Sequence, residues 1–154
     1  MRKKEIFEDK KRVEAIINKC DICFVAMSDE NNMPYIVPMN FGYKDDCFYF
    51  HSGPDGKKLD ILEKNNNVSI SLSTGHSLKY QNVDVACSYL MTYQSIIAFG
   101  KVEFIENYDQ KVDIMNIIMQ KYTGRDFKFG KPSINEIKTF KVKIEKITGK
   151  ELSY

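Results

Sequence analysis

The chain has 154 residues, 23 basic and 21 acidic side chains and a formal net charge of +2, so it is close to neutral. A surface that follows nucleic-acid phosphates needs a basic excess or a Lys/Arg stripe interleaved with aromatics, and a nucleic-acid partner is therefore not expected. Hydrophobic content of 43% beside 29% charged residues is ordinary for a globular protein and argues against disorder.

A chain of this length is expected to form one domain over residues 1–154, burying roughly 68 to 70% of its unfolded surface without disulfides or metals. No run approaches the ~18 apolar residues of a membrane span, and the opening MRKKEIFEDKKR lacks the apolar core of a secretion signal. The expectation is a cytoplasmic protein with no membrane partner. In that setting Cys20, Cys23, Cys47 and Cys87 are read as reduced thiols. Cys20 and Cys23 form a CxxC, which invites a redox or zinc reading, but the second ligand pair of a structural zinc site is missing and no metal is expected.

In chain order, Val13, Ile16, Ile17 and Cys20 lie at i, i+3, i+4 and i+7, which predicts a helix over about residues 9–20 with lysines on its outer face. Residues 22–27 read as a buried strand, and Asp29 to Asn32 turn it back into a second. In that second strand, residues 34–43, Tyr35, Val37, Met39, Phe41 and Tyr43 share one face and Ile36, Pro38, Asn40 and Gly42 the other. Lys44, Asp45 and Asp46 turn the chain, Cys47 to Ser52 resumes the strand pattern, and Gly53, Pro54, Asp55 and Gly56 break it.

The helix that follows, about residues 57–64, opens on Lys57 and Lys58, although the positive end of a helix dipole normally attracts Asp or Glu. Free backbone N–H groups, the dipole and two ammonium groups then point at one spot, a pocket for a phosphate or similar anion to which the Ser52 hydroxyl can add a donor. The alternative is that both lysines are simply solvated, and the glycine loop with the strand before it shifts the balance towards a site.

Asn65 to Asn67 stop the helix, and Val68, Ile70 and Leu72 alternate with Ser69, Ser71 and Ser73 in a half-buried strand. Residues 74–85 have no consistent period and read as a loop with His76 in solvent. Residues 93–105 form a long strand with Gly100 marking a bulge or close approach. Asn107 with Gln110 resembles a capping box for a helix ending near Gly124, with Val112, Met115, Met119 and Tyr122 on its inner face and the methionines as core filler. Phe140, Val142 and Ile144 alternate with Lys141, Lys143 and Glu145 in the last strand. The sum is six strands and three helices. The expected class is mainly β with flanking helices, an antiparallel sheet closed into a barrel to hide its edges. So small a barrel is filled by side chains, so a ligand lies outside it and a second subunit is needed to cover it.

PYIVPMNFGY, FYFHS, GKKLDIL and YQSIIAFGKVEF, in this order and spacing, resemble the pyridoxamine 5′-phosphate oxidase-like family of FMN-binding split barrels, in particular its nitroimidazole-resistance branch, over about residues 13–147. The resemblance implies a six-stranded antiparallel split β-barrel that binds FMN at a homodimer interface. It implies that Lys57 and Lys58 hold the cofactor phosphate, that the ring rests beside Ile36, Val37, Pro38, Met39 and Asn40, and that Phe50, His51 and Ser52 contact it. It implicates Gln94 and Ser95 of the other subunit. His51 is the candidate flavin neighbour, with a satisfied structural histidine as the alternative, and no catalytic residue is assigned. Many family members carry arginine where Gln94 stands here, and the arginine- and histidine-bearing C-terminal motif of true pyridoxamine phosphate oxidases is absent from the terminal LSY, which disfavours vitamin-B6 oxidation. The function implied is an FMN-dependent oxidoreductase that reduces a small-molecule electron acceptor such as a nitroaromatic or quinone, with reduced nicotinamide as a candidate donor. The alternatives are a non-catalytic flavin or haem carrier or stress-related protein on the same scaffold, and a thiol redox protein using Cys20 and Cys23.

Overall fold

A computed structural model describes residues 1–154. Its eight strands are β1 (Lys3–Phe7), β2 (Cys23–Ser28), β3 (Pro34–Met39), β4 (Gly42–Lys44), β5 (Cys47–Ser52), β6 (Asn67–Lys79), β7 (Leu90–Ile105) and β8 (Lys138–Ser153). The helices are α1 (Lys10–Lys19), α2 (Lys57–Lys64), α3 (Tyr108–Thr123) and α4 (Lys131–Asn135), with a 3₁₀ turn at Ala86–Ser88.

All pairings are antiparallel, in the order β3-β2-β6-β7-β8-β5-β4, with β1 paired to β8 off this path. The first and last strands of that order, β3 and β4, are consecutive in the chain and separated only by Asn40 and Phe41. The sheet must therefore curl until its ends meet, and the seam lies where β3 gives way to β4. The strand expected over residues 34–43 is thus two strands, because Phe41 turns fully into the core at the bend.

The inward positions of the strands and the apolar stripe of α1 form one cluster of 23 buried residues, among them Ile17, Val25, Phe41, Phe48, Phe50, Ile70, Ile96 and Phe140. Phe48 and Phe50 stack at 6.4 Å along β5, and Phe50 stacks at 5.2 Å on its cross-strand partner Phe140 of β8. Gly100 sits at the register shift of β7 against β8. A Cβ there would overlap the Lys143 carbonyl oxygen and come within 2.7 Å of Val142 Cγ1. The expected bulge is present and is a close backbone approach that admits no side chain.

Several expectations are corrected. The strand count is eight, not six. Strand β1 was not expected, since KKEIF has little alternation of its own and exists by pairing with residues 149–153 of β8. Strand β8 begins two residues before its alternating stretch at 140–145 and runs eight residues past it, and β6 continues through Thr74 to Lys79 past a bulge between Thr74 and Ser77. His76 accordingly lies in a strand, exposed, with its ring 6.5 Å from that of Tyr93. The buried face of α3 is Lys111, Ile114 and Ile118, not the Val112–Tyr122 stripe. Asp109, Asp113, Asn116, Gln120 and Thr123 give this helix one polar face, and its apolar residues spread over most of the rest, a broad arc within which the sequence does not single out the buried stripe. Buried Lys111 donates to the carbonyls of Ile137 at 2.8 Å and Ile134 at 3.5 Å, tying α3 to the end of α4.

Candidate functional site

The site is built where β5 ends and α2 begins. Ser52 closes β5 nearly buried, and Gly56 is the N-cap of α2 at φ 139°, ψ 165°, a conformation that side-chain-bearing residues avoid. No side chain caps this helix start. Its first backbone N–H groups are therefore free to meet a ligand, and the dipole favours an anion there. The Ser52 hydroxyl donates to Gly53 O at 2.8 Å, so the donor expected to help hold an anion is already engaged. Asp60 also lies in the first turn, so the helix start is not purely basic.

The two lysines part company. Successive side chains on a helix project about 100° apart, and here Lys57 is exposed with Nζ 4.6 Å above the Tyr35 ring. It lines a cleft of about 170 Å³ with Asp29, Glu30, Asp60, Ile61 and Lys64. Lys58 is half-buried, and its charge is near enough to bear on His51. Burial chiefly, and the Lys58 charge second, push the His51 pKa below the ordinary imidazole value, so His51 is held neutral. Its Nδ1 is buried and has no hydrogen-bond partner. An unpaired buried polar atom costs roughly 1–3 kcal/mol, and one within range of the Lys58 charge, on the strand that leads to an uncapped helix start, fits a phosphorylated cofactor that completes its hydrogen bonding.

Beside this corner runs β3, the terminal strand of the sheet order, with one row of backbone groups unpaired. Ile36, Pro38 and Asn40 are exposed, whereas Met39 is buried and Val37 packs on the core. Only the first three can reach a ligand with side chains; Val37 and Met39 have backbone to offer. Phe50 is fully buried in the core, so its phenyl ring reaches no ligand. Tyr35, beneath Lys57, was not among the expected site residues, and no local pattern flags a cation–π contact between residues 22 positions apart.

Gln94 and Ser95 are not brought to His51. His51 pairs with Thr139, and Thr139 with Ile105, whereas Gln94 pairs with Glu151. Eleven residues of β7, about 36 Å of strand, separate those levels. Gln94 Nε2 instead donates to Glu151 Oε2 at 3.2 Å, within a network in which Arg12 also binds Glu5 and Glu151 and covers the Phe7 ring.

The thiol pair is sealed. Cys20 and Cys23 are buried, and desolvation raises both thiols, that of Cys23 to about 12, so neither supplies a thiolate. A cleft of about 1130 Å³ runs along α3 past Tyr43, Tyr49, Asp113 and Lys121 and contains none of the expected site residues. Its lining mixes carboxylates, amides and lysines without a convergent group.

The family model for pyridoxamine 5′-phosphate oxidase matches residues 9–151. The chain belongs to this family. No curated protein matches the chain. Among solved structures, a Bacteroides thetaiotaomicron protein with the provisional name of 5-nitroimidazole antibiotic resistance protein is 45% identical, with a TM-score of 0.88 over 99% of this chain and 89% of that one. A flavocytochrome from Azotobacter vinelandii is 18% identical with a TM-score of 0.82, covering 97% of this chain and 70% of its own. An FAD- and haem-binding protein from Mycobacterium smegmatis is 16% identical with a TM-score of 0.83, covering 96% and 73%. The last two share the fold, an antiparallel split barrel with flanking helices, as expected apart from its strand count. No helix is long and apolar enough to cross a membrane.

Proposed function

We propose that this family member is an FMN-binding oxidoreductase that reduces a small, planar acceptor such as a nitroaromatic or quinone, with a reduced nicotinamide as donor. The observation that carries the reading is the corner in which the unpaired His51 Nδ1, Lys58 and the uncapped start of α2 converge. Lys58 and the α2 amides hold the phosphate, His51 and Ser52 border the ring system, and the free edge of β3 meets its hydrogen-bonding rim, with Ile36, Pro38 and Asn40 alongside. A bound flavin supplies hydride and electron chemistry, while the protein binds it, orients it and tunes its potential. The 45% identity to the nitroimidazole-resistance relative supports the choice of acceptor class.

The working unit is a homodimer. Cross-strand rows Pro38–Phe24–Ser71–Ile97 and Ile36–Ala26–Ser69–Phe99 run over β3, β2, β6 and β7. Phe24, Ile36, Ile97 and Phe99 on these rows are 45–59% exposed, an apolar patch that a second copy would cover. Only a second copy can bring Gln94 and Ser95 to His51. A second reading, a non-catalytic flavin or haem carrier, draws on the same His51, since a neutral imidazole is a ready iron ligand.

The test is the visible spectrum of purified protein, followed by nicotinamide oxidation with and without a nitroaromatic, and light scattering for mass. A flavin spectrum with FMN released on denaturation, dimer mass and acceptor-dependent turnover is expected. A protein that takes up no FMN overturns the reading; bound flavin or haem without turnover replaces it by the carrier.

A further inference from the structure

Beyond Tyr93, β7 is paired only with β6, so the two strands leave the sheet as an arm carrying the pairs Ser77–Thr92, Leu78–Met91 and Lys79–Leu90, with residues 80–89 closing its end. That closing loop is held in one shape. The Tyr89 hydroxyl donates to the Val83 carbonyl at 2.9 Å, the Tyr89 ring stacks on Tyr80 at 4.8 Å, and Ser88 Oγ donates to Asn82 O at 2.7 Å while accepting from Asn82 N. Arg2 and Tyr154 strap it down, Arg2 by donating to the carbonyls of Cys87 and Tyr89, and the Tyr154 hydroxyl by donating to Ser88 O at 3.0 Å. Compact loops closed by their own side chains are frequently functional. Leu78, Tyr80, Val83, Val85 and Met91 nevertheless remain 41–63% exposed. A loop fixed in shape and apolar at its tip is built to be covered by a partner.

The partner it fits is a second copy of this chain. Along β7, Met91, Tyr93, Ser95, Ile97 and Phe99 alternate onto one face, so the apolar patch of the dimer continues along the strand into the arm. The four half-exposed side chains of that patch offer roughly 400 Å², against about 800 Å² per subunit in a specific interface, and the arm supplies apolar area to make up the difference. Where Ser95 of one subunit reaches the partner's flavin corner, Met91 and its pair Leu78 lie four residues, about 13 Å, farther along, and the loop beyond them overhangs that corner. We propose that the arm of one subunit forms the acceptor-facing wall of its partner's flavin site, with Tyr80 and Val83 selecting flat, uncharged aromatic acceptors. The inference rests on the flavin-bound dimer proposed above. The corner's own walls are β3, Ser52 and the start of α2, so the side through which an acceptor reaches the ring is the side the partner covers. An apolar tip there favours an aromatic ring, whereas a charged acceptor would lose its hydration against Val83 and Val85.

The test is anaerobic stopped-flow reoxidation of dithionite-reduced, FMN-loaded dimer by menadione, an uncharged quinone. Val83 is 63% exposed in a single chain, so Val83→Asp leaves that chain's fold intact. It should slow reoxidation about tenfold at subsaturating menadione, with FMN affinity and dimer mass unchanged. Val83→Thr, close in size, is the second variant should the aspartate split the dimer. Hybrid dimers of Lys58→Glu with Val83→Asp, isolated through two different affinity tags, then decide which subunit's arm acts. Only the pocket of the Val83→Asp chain keeps Lys58 and fills with FMN, and an arm acting across the interface gives that pocket a wild-type wall. The hybrid should therefore reoxidise at the wild-type rate although the Val83→Asp homodimer is slow. A wild-type rate in the homodimer variants, or a slow hybrid, overturns the inference and leaves the flavin reading standing. Wild type that takes up no FMN or has monomer mass, or Lys58→Glu that retains FMN, overturns both.

Discussion

Replacing Lys58 by alanine tests the site through the one charge that the fold turns towards it. Lys58 is half-buried and its charge bears on His51, so it is less screened than a fully exposed residue's charge. A charge-assisted hydrogen bond to phosphate is worth roughly 1.5–3 kcal/mol, which converts to about 10- to 150-fold in FMN affinity. Lys57, exposed over Tyr35, behaves as a surface charge of about 0–1 kcal/mol, so Lys57→Ala should cost no more than about fivefold. Riboflavin has no phosphate and should bind wild type and both variants alike. The apoprotein of Lys58→Ala should melt no lower than wild type, since a cation beside a helix N-terminus is unfavourable without an anion. Fluorescence titrations of FMN and riboflavin, with a melting curve for each protein, supply all the numbers. An equal loss for riboflavin and FMN would mean that Lys58 acts through the fold. A larger loss in Lys57→Ala than in Lys58→Ala would mean that the phosphate sits on the wrong side of the helix for the geometry described here.

Four further outcomes are expected. Because the folded state lowers the His51 pKa, the stability linked to it is complete above the ordinary imidazole value near 6.5 and is lost as pH falls through the folded-state value; His51→Gln should flatten this acid limb in thermal melts. FMN phosphate beside His51 should oppose the shift, so the His51 imidazole resonance, identified by its loss in His51→Gln, should titrate at higher pH with FMN bound than without, and a move to lower pH would contradict the placement of His51. Gly100→Ala should lower stability by about 2–4 kcal/mol, read as a loss of roughly 5–15 °C in Tm, since its Cβ meets the Lys143 backbone and not a movable side-chain end. Of the four thiols, Cys87 alone is exposed, so a thiol reagent should label one cysteine quickly in native protein and four in denaturant; rapid labelling of Cys23 would revive the redox reading.

Much of the barrel was legible in the sequence because its signals are local. The alternation of Val68, Ile70 and Leu72 with serines, the aromatic run Cys47–Ser52, the glycine break and the lysine-headed helix each fall within ten residues, and the structure places β6, β5 and α2 there. What sequence alone left open depends on partners distant in the chain. β1 has no pattern of its own and forms because β8 runs on to meet it. The inner face of α3 is chosen by which part of its broad apolar arc meets Ile105. Lys57 and Lys58 are identical as adjacent letters, and only the packing of α2 against the strands decides that one faces His51 and the other Tyr35. Gln94 and Ser95 carry the same lesson in reverse, since a two-residue motif gives no measure of the strand length that holds it away from His51 within one chain. Hydrophobic period and turn chemistry determined the elements; register, burial and the direction of each side chain were decided by contacts across the folded sheet, because those are set by residues that the linear pattern does not bring together.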